Sequence, residues 1–128
     1  MIFFDIEIYD GKPLKQVHLK EELPLLEQWR FLTEDILCID YFINNLFEFS
    51  VDVGWHPTVQ VTEDSYFKTE VIEGPITDGG VFYKKYSTTI VEMKEHLTEA
   101  IDLIQSFKGL NKEQIIKQQV FDEGGINE

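Results

Sequence analysis

Apolar and polar positions alternate along the first residues of the chain, with Ile2, Phe4, Ile6 and Ile8 on one side and Asp5 and Glu7 on the other. That spacing predicts a half-buried strand over 2–9. Asp10-Gly11 reads as a turn, and alternation resumes from Lys15 to Lys20 with Val17 and Leu19 inward and His18 outward. Pro13 places this second strand at a sheet edge or delays its start, because proline has no backbone N–H to donate to a ladder. From Glu22 the period lengthens. Leu25, Trp29, Leu32, Ile36, Ile39, Ile43 and Leu46 recur every three or four residues, the stripe of an amphipathic helix, with Pro24 in its first turn and Thr33 as a cap dividing it. The run I-L-C-I-D-Y-F-I (36–43) is rich in β-branched and aromatic residues, which keeps a strand open over 34–41.

Alternation returns in F-E-F-S-V-D-V (47–53), where Phe47, Phe49, Val51 and Val53 point in and Glu48, Ser50 and Asp52 point out. Gly54-Trp55-His56-Pro57 reads as a connection, after which Val59 and Val61 resume the pattern and Glu63-Asp64-Ser65 turns. Strands follow over Tyr66–Glu73 and Val81–Tyr86, joined by a flexible connection from Gly74 to Gly80. The last third is helical. Thr89-x-x-Glu92 is a capping box, Ile90, Met93, Leu97, Ala100, Ile101, Ile104 and Phe107 form the stripe, and Gly109 stops it. Asn111 with Gln114 caps a shorter helix carrying Ile115 and Ile116. The pattern predicts one α+β domain over 1–121, in the order ββαββββαα. Five or six largely antiparallel strands carry helices on one face, and residues 122–128 form a flexible tail.

The charge changes this picture more than the composition does. The chain has 128 residues and a net charge of −13. Between Glu21 and Phe67 ten carboxylates face the single base Arg30. Binding nucleic acid through phosphates needs a basic surface, and docking on anionic lipid needs the same, so both partners are excluded as expectations. One cysteine, Cys38, leaves no disulfide framework. With no signal-peptide pattern at Met1–Tyr9 and no apolar run of membrane-spanning length, the chain is expected to be cytoplasmic.

Candidate chemistry is sparse. His18, His56 and His96 fall on a strand, a loop and a helix, with no second ligand at hairpin or helical spacing, so neither metal nor cofactor is expected. Cys38 reads as a small buried hydrophobe rather than a nucleophile, and Gly79-Gly80 lacks the context of a phosphate loop. Trp55-His56 has two readings. As a β-connection, Gly54 and Pro57 shape the turn while Trp55 folds back on the core. As a site, Trp55 is an exposed anchor beside outward acids, which makes Glu48, Asp52, Trp55, His56, Glu63 and Asp64 a partner-binding surface.

A small acidic α+β domain with its acid concentrated in one stretch and no catalytic signature resembles, as a class, the bacterial immunity proteins that neutralise polymorphic or contact-dependent growth-inhibition toxins. The resemblance implies a non-catalytic protein that binds a basic toxin domain stoichiometrically; a nuclease, whose substrate-binding surface is basic, is one toxin that fits, and the activity of the partner stays open. Two alternatives stand beside it: a structural or regulatory subunit of an oligomer, and an enzyme working through clustered carboxylates and a divalent metal.

Overall fold

The computed structural model describes residues 2–3, as backbone only, and 5–120. The inward placement of Ile2 and Phe4 and the tail 122–128 lie outside the described residues. Seven strands and two helices follow in the order β1 (Ile2–Phe3), β2 (Ile6–Glu7), β3 (Lys12–Gln16), a 3-10 segment (Leu25–Phe31), β4 (Leu37–Ile43), β5 (Phe47–His56), β6 (Tyr66–Glu73), β7 (Val81–Ser87), α1 (Ile90–Phe107) and α2 (Lys112–Ile116). Strands β3 to β7 form one antiparallel meander in sequence order, and α1 packs on β5, β6 and β7. This is the expected α+β class, with a different element in the middle.

The long helix expected between Glu22 and Leu46 is replaced by the 3-10 segment and β4. Ile36, Ile39 and Ile43 belong to both candidate periods, and cross-strand pairing decides between them. Along β4, Leu37, Ile39, Tyr41 and Ile43 are buried while Cys38, Asp40 and Phe42 face outward. Ile43 pairs with Phe47 across a turn in which Asn44 and Asn45 both take positive φ, a conformation that asparagine adopts at little cost. The Asn44 amide then donates to the Leu110 carbonyl at 3.0 Å and ties the turn to the end of the helical layer.

The N-terminal strand is likewise broken. Asp5, at φ 66°, turns the chain so that Phe3 pairs with Ile6, making a small hairpin in place of one strand over 2–9. Strand β3 ends at Gln16, so Val17, His18 and Leu19 fall after it rather than within it; Pro13 does occupy an edge strand. No strand forms around Val59 and Val61, and β5 pairs directly with β6.

The core lies between the sheet and α1. Phe49 sits at its centre, with ring centroids 5.0 Å from Phe82, 5.2 Å from Phe107 and 5.7 Å from Phe47. The predicted stripe of α1 is buried along its length, from Ile90 to Phe107. Thr89 accepts from the Glu92 amide at 3.1 Å, while the Glu92 carboxylate reaches the Thr88 amide rather than that of Thr89. Asn111 and Gln114 close a reciprocal box at 2.8 and 2.9 Å.

The connection 74–80 is organised rather than flexible. Its centre is Glu73, whose carboxylate is fully buried and accepts from the amides of Ile76, Thr77 and Glu48 and from the Thr77 hydroxyl. Gly79, at φ 87°, closes the loop by donating to the Glu73 carbonyl.

Candidate functional site

Period-two alternation gives the sheet a second face, away from α1, and the register of the meander lines up its side chains. Cys38 pairs with Asp52, Asp52 with Glu70 and Glu70 with Lys84, so one row crosses four strands. A neighbouring row places Asp40 against Ser50, whose hydroxyl donates to the Asp40 carboxylate at 2.8 Å. Near the centre of this face lies a concavity of about 240 Å³ lined by Glu34, Asp35, Asp52, Gly54, His56, Lys68 and Glu70.

Two contacts build the concavity. Gly54 lies on β5 directly under the chain before β4, and a Cβ there would meet the Glu34 carbonyl oxygen at 2.1 Å. Gly54 does not take a positive φ; it is glycine because backbone passes against backbone. The Trp55 amide donates to the Thr33 carbonyl at 2.9 Å and the Ile36 amide to the Val53 carbonyl at 2.8 Å, so Glu34 and Asp35 bulge over the sheet between two fixed points. Gly54→Ala is expected to cost about 1–3 kcal/mol, the scale of overpacking. It should also shift the amide resonances of Glu34 and Asp35, read by denaturant unfolding and a backbone spectrum.

The electrostatics are uneven across the floor. Glu70 lies between Lys68 at 3.3 Å and Lys84 at 3.6 Å and is largely neutralised. Asp52 faces Cys38 on one neighbouring strand and Glu70 on the other. Burial raises its pKa above the ordinary value, the Cys38 thiol opposes this by hydrogen bonding, and Glu70, Asp35 and Asp40 raise it further. The thiol in turn is pushed up to about 12 by burial and by the Asp52 carboxylate, so Cys38 stays protonated and is a poor nucleophile. A folded pKa raised above the unfolded value favours the fold below the unfolded pKa, and that contribution is lost as pH rises through the folded value. Asp52→Asn is therefore expected to stabilise the protein at neutral pH by about 0.2–1 kcal/mol, the scale of a like-charge cross-strand pair. The gain should vanish toward acid pH, as two melting series across pH would show.

Of the six residues expected to form a partner surface, the structure brings two together. Asp52 and His56 line the concavity. Glu48 is exposed on the same face but four residues further along β5, about 13 Å from Asp52 at the strand rise. Glu63 and Asp64 are exposed in the turn after β5, beyond His56, and do not line the concavity. Trp55 is 1% exposed and cannot be an exposed anchor. It continues the inward series Phe47, Phe49, Val51, Val53, its indole nitrogen donates to the Gln60 carbonyl at 2.7 Å, and its ring meets Phe67 at 4.6 Å. The connection begins at Pro57, since Gly54, Trp55 and His56 are strand. His56 stacks on Tyr66 at 5.5 Å, and Tyr66 meets Tyr86 edge-on at 5.2 Å, so an aromatic row borders the acids.

Glu34, Asp35 and Glu70 are the lining residues that sequence reasoning missed. Glu70 had a legible signal in the outward register of Tyr66–Glu73, whereas Glu34 and Asp35 were assigned to a helix. Among the described residues no group of three or more His, Cys, Asp or Glu side chains is arranged to hold a metal ion, and no described helix is long and apolar enough to cross a membrane. No protein-family model, curated protein or solved structure matches the chain.

Proposed function

We propose that the chain is a non-catalytic binding protein that neutralises a basic partner by stoichiometric association, in the manner of an immunity protein acting on a cytoplasmic nuclease toxin. The observation that carries this reading is the acid-lined concavity on the sheet face opposite α1, where four carboxylates, Glu34, Asp35, Asp52 and Glu70, share the lining with the single lysine Lys68. Asp52 and Glu70 stand on paired strands, which hold side chains more firmly than loops do, and Glu34 and Asp35 are fixed by the backbone bonds of Thr33 and Ile36 to β5. A net charge of −13 adds steering: association with a basic surface is accelerated and falls with ionic strength. A nuclease must expose a basic surface to hold phosphate, so an acidic plug on that surface competes with its substrate.

The reading is tested by co-expression with the protein encoded immediately upstream in the native source. Growth restored in a one-to-one complex with a basic C-terminal domain supports it. Growth arrest unchanged by this chain, with no complex formed, contradicts it.

A further inference from the structure

The 3-10 segment shows three large apolar side chains to solvent: Leu26 is 66% exposed, Trp29 44% and Phe31 53%. Their outward placement is enforced from the other side of the segment. Gln28 is buried, its amide nitrogen donates to the carbonyls of Lys20 at 2.8 Å and Leu23 at 3.0 Å, and its oxygen accepts from the Lys20 amide at 2.8 Å. Leu32, also buried, accepts at its carbonyl from the Val59 amide. With Gln28 and Leu32 turned inward, the residues between them must turn out. The same bond brings Val59, 40% exposed and at φ 48°, beside the end of the segment. A β-branched residue rarely adopts that conformation, so Val59 is held against Leu32 at some strain.

The patch lies close along the chain to the acid-lined concavity. Glu34 follows Phe31 by three residues, at most about 11 Å of extended chain. Four exposed acids flank the segment along the chain, Glu22, Glu27, Glu34 and Asp35, against two exposed bases, Lys20 and Arg30, the Arg30 guanidinium lying 5.5 Å over the Trp29 ring. A second copy of this chain would bring −13 against −13, and the eight residues beyond Val120 carry three acids and no base, so like charge disfavours both as occupants.

We propose that Leu26, Trp29 and Phe31 form the hydrophobic anchor of a docking surface for a basic protein segment, which buries an apolar side chain against them and places a neighbouring arginine or lysine in the concavity of Glu34, Asp35 and Asp52. The inference rests on the proposed binding function and names its energetic centre. Aromatic side chains flanked by charge are the commonest hot spots at interfaces, and charge complementarity around them selects the partner.

The test titrates the full chain with a short synthetic peptide in which leucine is flanked by arginines, followed by backbone and indole resonances. Saturable shifts at Trp29 and at Asp52 and Glu70, with affinity at least tenfold lower for Trp29→Ala/Phe31→Ala and for a citrulline-for-arginine peptide, are expected. The Trp29→Phe variant, which keeps an apolar ring, should bind within a fewfold of the parent, and all variants should melt with it. Shifts confined to the concavity, with Trp29→Ala/Phe31→Ala binding normally, overturn the anchor and leave the acidic site standing. Absence of shifts at either place overturns both. Sedimentation as a dimer that Trp29→Ala/Phe31→Ala dissociates, or greater quenching of Trp29 once residues 121–128 are removed, names another occupant and overturns the inference.

Discussion

Trp55→Ala is expected to lower the unfolding free energy by about 3–5 kcal/mol, the range for deleting a buried large aromatic. The side chain is 1% exposed, its ring packs edge-on against Phe67, and its indole nitrogen anchors the Gln60 carbonyl. The loss therefore combines an apolar cavity with a carbonyl left only its longer bond from the Ser65 hydroxyl at 3.5 Å. Trp55→Phe keeps most of the packing and should lose about 1–2 kcal/mol, within the range of losing one buried hydrogen bond. The contrast is Trp29→Ala. That side chain is 44% exposed, and its removal should move stability by no more than about 0.5 kcal/mol. Denaturant unfolding separates the two, since the midpoint should fall sharply for Trp55→Ala with an unchanged slope. A neutral Trp55→Ala beside a costly Trp29→Ala would reverse the orientation of both segments.

Glu73→Ala is the second large effect, about 2–4 kcal/mol. A fully buried carboxylate is tolerable here only because four donors converge on it: the amides of Ile76, Thr77 and Glu48, and the Thr77 hydroxyl. Removing it leaves those donors without their acceptor, and buried donors cost about 1–3 kcal/mol each where water cannot reach them. Glu73→Gln is milder, because an amide oxygen still accepts on the Thr77 side of the site and only the Glu48 side loses its acceptor. The pH dependence has a definite sign. Burial alone would raise this carboxyl, but the Thr77 donors, with the Ile76 and Glu48 amides, outweigh it and hold the pKa below 4.5. A depressed folded pKa contributes stability that is complete above the unfolded value and is lost as pH falls through the folded one. The gap between the parent and Glu73→Gln should therefore narrow as pH drops below about 4.5, read from unfolding curves at several pH values.

What the sequence showed and what it hid divide along a physical line. Helix α1 was legible from end to end because its stripe, its Thr89 cap and the Asn111-Gln114 box that follows all point to one answer. Strands β6 and β7 were legible for the same reason. The segment 36–43 satisfied two periods at once, and what decides it is the hydrogen-bonded ladder with β5, information that sits in another part of the chain. Trp55 was a different failure. The inward alternation runs unbroken from Phe47 to Trp55, but Gly54 suggested a turn, when its role is to let the Glu34 backbone pass. The concavity could not be assembled from spacing, since Glu34, Asp52 and Glu70 meet only through sheet register. Within the acid-rich stretch, Asp52 lines the concavity while Glu63 and Asp64 lie in a turn outside it.

The central claim is that the acid-lined face of the sheet binds a basic protein. It is tested most directly by calorimetric titration of the upstream-encoded basic domain into the parent chain and into Glu34→Lys/Asp35→Lys. Each titration is run at low and high salt, with Glu113→Lys on α2 as the control. Both substituted acids are exposed, so the fold should be unaffected. Charge reversal at the rim of a steered interface should weaken binding on the order of tenfold to a hundredfold and flatten its salt dependence, while Glu113→Lys binds as the parent does. Equal affinity for all three proteins, unchanged by salt, would contradict the account.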